Sequence, residues 1–511
     1  MKILLLVLYF SVLLGIGFYC RKHAKDVEGF VLGGRNVGAW LTAFAYGTSY
    51  FSAVVFVGYA GQFGWKYGIA ATWAGIGNAL IGSLLAWFLL GRRTRIMTRH
   101  LSSATMPQFF MSRFGSGWLK IASAIIIFIF MIPYTASLYN GLSRLFGMAF
   151  NLDYSVCIIL MAILTAVYVI AGGYLATAIN DFIQGIIMLV GIVAVIYAVF
   201  ETKGGLSASL DSLARVNDAS VSQTPGIFNS FFGPDPINLF FVVLLTSLGT
   251  WGLPQMVQKF YAIKDEQAIQ KGTVISTLFA FVVAGGCYFL GGFGRIFSDQ
   301  IDIKANGFDS VIPTMLSGLS DGMIALIVIL VLSASMSTLS SLVIVSSSTL
   351  TLDLIKDNFI KDMKETGQVF LIRALIVVFI AISAILALIQ YKSSVNFIAQ
   401  LMGISWGAMA GAFLAPFLYS LYFKWVTKAS CLVSFIFAVA LMTANILARP
   451  LFPEMFQSPI NAGVLAMVAG LVLVPIVSAF TSKPKSELIE NAFSCYEQKI
   501  TVPARTSLSD D

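Results

Sequence analysis

The chain has 511 residues, of which 58% are hydrophobic and only 11% are charged, and its formal net charge is +8. This composition indicates a polytopic membrane protein and excludes a soluble domain, and the long continuous apolar runs exclude an outer-membrane barrel. The positive charge follows the distribution of Lys and Arg among the loops, so it predicts an orientation in the membrane and no nucleic-acid partner.

Thirteen apolar runs, separated by charged or turn-rich breaks, predict an all-α protein with about 13 transmembrane helices, numbered here as spans 1–13. The predicted spans cover residues 3–20, 38–62, 66–90, 119–148, 152–172, 176–200, 237–256, 272–296, 322–349, 368–390, 394–421, 429–447 and 460–480.

The first span is expected to be retained, because it has no small-residue cleavage site and Arg21 and Lys22 follow it directly. Most of the 32 Lys and Arg residues fall in the connections that would share one side of the membrane: 21–37, 91–120, 257–271, 350–373, 422–428 and 481–511. This asymmetry predicts a multi-pass protein of the cell membrane with its N-terminus outside and its C-terminus in the cytoplasm.

Spans 2 and 7 contain helix-breaking clusters in their interiors. Residues 45–52 (AYGTSYFS) place Gly47 among polar groups, and residues 246–254 (TSLGTWGLP) contain two glycines and a proline. Interrupted helices at matching positions of two halves indicate a transporter binding site, and spans 2–6 and 7–11 form two five-span units of opposite orientation. Two ordinary kinked helices are the alternative interpretation.

Span 9 carries a stripe of small and hydroxyl residues. Ala334, Ser337, Thr338 and Ser341 follow one another at i, i+3, i+4 and i+7, so they share one helix face. Hydroxyl and carbonyl oxygens suit a hard cation, and a site with few carboxylates favours a monovalent one. Close helix packing through small residues is the other interpretation.

Enzymatic activity is not expected. The chain has only 2 His and 5 scattered Cys residues, and its spans contain no paired acids and no metal-protease motif. The cysteines are expected to be buried, without a disulfide framework.

Five motifs in chain order resemble the sodium:solute symporter family. They are residues 30–35 (FVLGGR), 47–52 (GTSYFS), 172–184 (GGYLATAINDFIQ), 252–255 (GLPQ) and 336–341 (MSTLSS). The resemblance implies a LeuT-type inverted repeat of five plus five helices with one extra N-terminal and two C-terminal helices. The implied divisions are an N-terminal helix and basic loop (1–37), first repeat (38–200), external loop (201–236), second repeat (237–421), peripheral helices (422–480) and cytoplasmic tail (481–511).

The resemblance also implies a co-transported sodium ion between spans 2 and 9. Its ligands would be the carbonyl oxygens of Thr48, Phe51 and Ala334 and the side-chain oxygens of Ser337 and Thr338. Some family members look able to bind a second sodium ion, which here would involve Asp181, Ser340 and Ser341. The alternative for Asp181 is a solvated position at the cytoplasmic interface, where it would only tune gating.

The solute site is expected at the breaks of spans 2 and 7, walled by spans 4 and 11, and no Lys or Arg is expected at that depth. Its candidate residues, each of which could instead be a packing residue, are Tyr50, Ser52, Tyr134, Thr250 and Trp251. Some details resemble the proline permeases, but those carry an acidic residue where this chain has Tyr50, and a monocarboxylate- or pantothenate-like solute stays open.

These features predict a sodium-coupled symporter that imports a small organic solute by alternating access, with one or two Na+ ions per cycle. Its expected partners are the solute and the lipid bilayer, and we expect it to function as a monomer. A proton-coupled or uncoupled carrier and a solute sensor are the alternatives on the same scaffold.

Overall fold

The structure, a computed structural model, describes residues 2–150, 153–392 and 398–497. Over these residues it is helical, with one isolated bridge between Val37 and Ile263 as the only extended pairing. Ten of the described helices are long and apolar enough to cross a membrane, or 11 if a bent pair in span 7 counts as one crossing. The predicted all-α membrane class is confirmed, whereas the count of thirteen stays a prediction.

The long helices follow the predicted order. They are Lys2–Cys20, Gly117–Phe150, Tyr154–Glu201, Glu266–Gly291, Asp321–Thr349, Glu365–Lys392, Ile398–Tyr422, Lys428–Leu447 and Pro459–Phe480. Shorter helices in the connections include Val27–Leu32, Met106–Phe114, Gly205–Ala214, Val311–Ser317 and Ser486–Ser494. The first residues of predicted spans 5 and 11, and residues 498–511 of the predicted tail, lie outside the described residues.

Two continuous helical runs explain why the described residues form fewer membrane-length helices than the thirteen predicted spans. Val54–His100 has 47 residues and Tyr154–Glu201 has 48, and each contains two predicted crossings or parts of them. A straight helix of 48 residues would be about 72 Å long, more than twice the roughly 30 Å of hydrocarbon in a bilayer. Gly173 has φ 58° and ψ −156°, a non-helical conformation that falls between predicted spans 5 and 6. Helix length and composition alone therefore do not show whether each of these runs crosses the membrane once or twice.

The predicted break in span 2 is confirmed, but it lies a few residues later than Gly47. The helix Ala39–Tyr50 ends at Phe51, whose backbone is extended, and helical structure resumes as a wide π-turn at Val54–Tyr59 and continues in Ala60–Tyr67. Gly47 lies inside the first helix, where a Cβ atom would approach Phe279 Cδ1 to 2.4 Å. This glycine therefore allows close packing and does not interrupt the helix.

The predicted break in span 7 is confirmed as well. The helix Pro236–Leu248 continues as a 3-10 turn, Gly249–Gly252, and a second helix begins at Pro254 and ends at Ala262, with a bend of 46°. Leu253 between them is extended, with ψ 120°, which is the conformation that a following proline favours.

The connections predicted to be cytoplasmic meet at one end of the bundle, called here the basic end. Arg35 donates to the Ser103 carbonyl at 2.7 Å, and Arg92 pairs with Glu266 at 3.0 Å. Buried Arg113 donates to the carbonyl oxygens of Ser420 and Phe423. These contacts join segments that are far apart in the sequence, so they support the predicted grouping of the basic segments. In two of the three cases an arginine side chain donates to a backbone carbonyl of another segment.

Spans 1, 12 and 13 pack against the two candidate repeats. Span 1 packs on Tyr154–Glu201, where Gln184 donates to the Tyr9 hydroxyl at 2.9 Å. Spans 12 and 13 pack on span 11 through small residues, with a Cβ atom at Gly407 only 2.7 Å from Gly463 Cα. All five cysteines are buried, as predicted.

Candidate functional site

The thirteen residues predicted from sequence to bind ions or solute are all buried. None has a relative exposure above 6%, and most are at 0–1%. They lie on spans 2, 4, 6, 7 and 9. The sequence therefore identified interior positions, and their individual contacts distinguish three groups.

The first group joins the end of the first helix of span 2 to span 9. The Ser337 hydroxyl lies 3.0 Å from the Thr48 carbonyl oxygen and 3.1 Å from the Ala334 carbonyl oxygen. The Thr338 hydroxyl lies 3.2 Å from the Thr48 carbonyl oxygen and 3.1 Å from that of Ala334. Among four of the five predicted sodium ligands, each of the two hydroxyls thus lies within hydrogen-bond distance of both carbonyl oxygens.

Phe51, the fifth predicted ligand, ends the first helix of span 2 with φ −105° and ψ 94°. This conformation takes its carbonyl out of the helical hydrogen-bonding pattern and makes it available for another partner. Hard cations such as Ca²⁺ hold oxygen ligands at about 2.3–2.6 Å, which separates neighbouring ligand oxygens by about 3–3.5 Å. The observed spacing of the cluster falls in that range.

The second group surrounds Asp181 on span 6. Both carboxylate oxygens are buried without a hydrogen-bond partner among the described residues. Their nearest cation is Lys259 of span 7, whose Nζ atom lies 4.0 Å from Asp181 Oδ2 and 2.9 Å from Ser341 Oγ. Ser340 donates to the Ser337 carbonyl of its own helix at 2.8 Å.

Lys259 is a buried basic side chain that the sequence analysis counted in the connection 257–271. Its side chain is only 1% exposed, and its ammonium also lies 5.1 Å from the centre of the Tyr174 ring. Sequence reasoning missed it because the apolar run of span 7 ends near residue 256, which put Lys259 in a loop. The proline at position 254 was the available signal, since proline is common at the first position of a new helix.

The third group contains the predicted solute residues, and the structure brings only some of them together. Tyr50 stacks on Phe51 with ring centres 4.2 Å apart and contacts the Thr246 carbonyl through its hydroxyl. The Trp251 indole donates to the Ile81 carbonyl at 3.0 Å.

Two hydroxyl residues of the third group are also engaged with neighbouring backbone. The Thr250 hydroxyl lies 2.9 Å from the Ser247 carbonyl oxygen and 3.3 Å from that of Gly82. The Ser52 hydroxyl accepts from the Val54 amide. Thr250 and Trp251 therefore join span 7 to span 3, whereas Ser52 supports the restart of span 2.

Trp406 is a site residue that the sequence analysis did not name. Its ring meets Tyr134 edge to face at 6.0 Å and lies 6.2 Å from Tyr50. The Tyr134 hydroxyl and the Trp406 indole nitrogen are buried, and neither makes a hydrogen bond of normal geometry within the described residues. Trp406 is the single tryptophan of span 11, a span that was expected to wall the site.

A cavity of about 900 Å³ opens at the end of the bundle opposite the basic end. Its lining includes the charged residues Lys66, Asp218, Asp235, Arg295 and Glu454. Arg295 donates to Asp218 at 2.8 Å, and hydrogen bonds from Ser220 and Arg295 keep the pKa of Asp218 below its ordinary value. At the basic end, the crevice between spans 7 and 9 has only about 10 Å³. Cavities of about 670 and 410 Å³ also open at the basic end, beside Arg373 and Arg35, so cavity size alone does not show from which end a solute approaches.

Comparisons with known proteins show which proteins this chain is similar to. The model of the sodium:solute symporter family matches residues 30–438. The osmoregulated proline transporter OpuE of Bacillus subtilis is 29% identical over 486 residues, which is 94% of this chain and 95% of that protein. Sodium/proline symporter 2 of Staphylococcus saprophyticus is 30% identical over 498 residues, covering 94% and 93% of the two chains.

The fold is also similar to a solved structure. A Na+-coupled sialic acid symporter, solved in a substrate-bound outward-open state, superimposes with a TM-score of 0.75 at 16% identity. The match covers 95% of this chain and 98% of that one. At this level of identity the likeness shows a shared fold.

Proposed function

Because this chain belongs to the sodium:solute symporter family, we propose that it is a sodium-coupled importer of a small organic solute, with proline as the first candidate. The observation that carries the proposal is the oxygen cluster between spans 2 and 9. There the Ser337 and Thr338 hydroxyls lie 3.0 and 3.2 Å from the Thr48 carbonyl oxygen. Sodium at this position would be held by neutral oxygens only, which suits a monovalent ion.

Coupling would follow from where the ion binds. Thr48 is two residues before the end of the first helix of span 2, and Tyr50 of the same turn belongs to the candidate solute group. An ion that fixes span 9 to this turn also fixes the solute side chains that follow it. Each ligand would then favour the conformation that the other requires, which is the thermodynamic condition for symport.

The candidate solute group favours a solute that accepts hydrogen bonds. The Trp406 indole lies within reach of the Tyr134 hydroxyl, which leaves that hydroxyl as the buried donor available to a solute, and the aromatic rings around it offer an apolar wall. A carboxylate with a compact apolar ring or chain satisfies both features. The proline transporters among the relatives favour proline, whereas Tyr50 in place of an acidic residue keeps monocarboxylates and pantothenate-like solutes as second candidates.

We further propose the membrane topology expected from the sequence. Thirteen crossings, with spans 2–6 and 7–11 as inverted repeats, would divide the chain at 1–37, 38–200, 201–236, 237–421, 422–480 and 481–511. The basic end would face the cytoplasm in the cell membrane, which puts the N-terminus outside and the C-terminus inside. The 900 Å³ cavity would then open to the exterior and receive the incoming solute.

Uptake of labelled proline into proteoliposomes tests the proposal. Accumulation is expected under an inward sodium gradient and not under a matched potassium gradient, with unlabelled amino acids, monocarboxylates and pantothenate as competitors. Competition by another solute class would reassign the solute and keep the coupling. Accumulation that follows a proton gradient and ignores sodium would contradict the proposed coupling, and binding without uptake would favour a sensor.

Tyr134→Phe is expected to raise the solute KM several-fold, because the variant loses one buried donor and keeps the ring. Tyr139→Phe is the matched control, because Tyr139 lies on the same helix and its hydroxyl is also buried without a hydrogen-bond partner among the described residues. Initial rates over a range of solute concentrations give both KM values. Equal KM values for the two variants would argue against Tyr134 as a solute contact.

A further inference from the structure

The second predicted sodium position already contains a cation, the ammonium of Lys259. Its Nζ atom donates to Ser341 Oγ at 2.9 Å and lies 4.0 Å from Asp181 Oδ2, with the Tyr174 ring on another side. Asp181 and Ser341 are two of the three residues predicted to bind the second ion. The third, Ser340, donates to its own helix instead.

We propose that Lys259 is a tethered cation that replaces the second sodium ion, so that this protein binds and moves one sodium ion per cycle. This inference rests on the proposed function and specifies its stoichiometry. It also assigns to Lys259 a role in ion selectivity that is separate from the cluster between spans 2 and 9.

Geometry and charge both oppose a second sodium ion here. An ion that touched Ser341 Oγ at about 2.4 Å would lie within about 5 Å of the ammonium, because that oxygen is only 2.9 Å from Nζ. Two positive charges at that distance repel strongly in a buried site, where water does not screen them. The ammonium already neutralises the carboxylate of buried Asp181. A sodium ion added to this pair would leave the buried carboxylate, ammonium and sodium ion with a net positive charge.

The tethered cation is connected to the first ion position by one serine pair. Ser341 Oγ lies 2.8 Å from Ser49 Oγ, and the Ser49 carbonyl oxygen lies 3.4 Å from the Thr338 hydroxyl. Lys259 on span 7 is thereby linked to the same turn of span 2 that contributes the Thr48 carbonyl. A bound sodium ion and the ammonium would support the same turn from two sides.

Counting bound sodium on the purified full-length protein tests the inference without any solute. Binding of radioactive sodium is expected to give one ion per wild-type protein with a Hill coefficient near one. Lys259→Met frees Asp181 and Ser341, so it should bind two ions with a Hill coefficient above one. Adding Asp181→Asn to that variant should return the count to one.

The controls separate this inference from the proposed function. Lys264→Met, which changes an exposed lysine five residues further along, should keep the wild-type count. Two ions on the wild type, or one ion on a monodisperse Lys259→Met protein, would overturn the tethered-cation role. If Lys259→Met does not fold, Asp181→Asn alone decides, because a fall from two ions to one would contradict the inference and an unchanged single ion would support it. Absence of bound sodium on the wild type would overturn the proposed function and the inference together.

Discussion

Thr338→Ala is expected to raise the sodium concentration for half-maximal uptake at least tenfold while leaving expression intact. The substitution removes one of the five proposed oxygen ligands, and the Thr338 hydroxyl also joins the carbonyl oxygens of Thr48 and Ala334. Hydrogen bonds and contacts to charged groups contribute about 1.5–3 kcal/mol, and about 1.4 kcal/mol corresponds to a factor of ten in affinity. Sodium titration of initial uptake rates measures the change.

Two further variants make the result specific to the cluster. Thr338→Ser keeps the hydroxyl and should stay within a few-fold of the wild-type sodium requirement. Ser335→Ala removes a buried hydroxyl from the same helix that has no hydrogen-bond partner among the described residues, so its sodium requirement should not change. Equal effects of Thr338→Ala and Ser335→Ala would indicate helix packing and exclude an ion site at this position.

Gly291→Ala is expected to destabilise the fold by about 3 kcal/mol, near the upper end of the usual cost of overpacking. A Cβ atom at this position would lie 2.1 Å from the Ala60 carbonyl oxygen, and a Cβ at Gly64 would lie 2.0 Å from the Gly291 oxygen. Both obstacles are backbone atoms, so no side chain can rotate away and the two helices must separate. The fraction of monodisperse protein after heating gives the loss of stability.

Gly285→Ala on the same helix is the control for that experiment. No heavy atom lies within 4 Å of a Cβ built at Gly285. Alanine also favours a helix over glycine by about 1 kcal/mol, so this variant should be at least as stable as the wild type. A Gly291→Ala protein as heat-resistant as Gly285→Ala would show that these helices do not depend on the close contact.

The sequence predicted the class of fold and the two broken helices because both leave local signals. Apolar runs indicate crossings, and Pro254 fixes the start of the second helix of span 7 whatever packs around it. Gly47 shows the limit of such signals. A glycine that interrupts a helix and a glycine that admits Phe279 look the same in one sequence, so the sequence placed the break within residues 45–52 but did not assign it to Phe51.

Helical spacing places Ala334, Ser337 and Thr338 on one face, which agrees with the ion ligands that the family resemblance implies. Lys259 and Trp406 could not be predicted, since their roles depend on how separate spans approach each other. Lys259 is in the interior because it lies on the nine-residue helix that begins at Pro254, which places its side chain next to Ser341. Trp406 becomes part of the solute group only through its contacts with Tyr50 and Tyr134 on two other spans.

The isolated bridge at the basic end has a mechanical consequence. The Val37 amide donates to the Ala262 carbonyl at 3.1 Å, and the Lys264 amide donates to the Val37 carbonyl at 3.0 Å. These two bonds connect the start of span 2 to the end of span 7, so the halves of both spans at this end form one lever. Each of these halves borders an extended residue, Phe51 or Leu253, so we expect the two halves to tilt together.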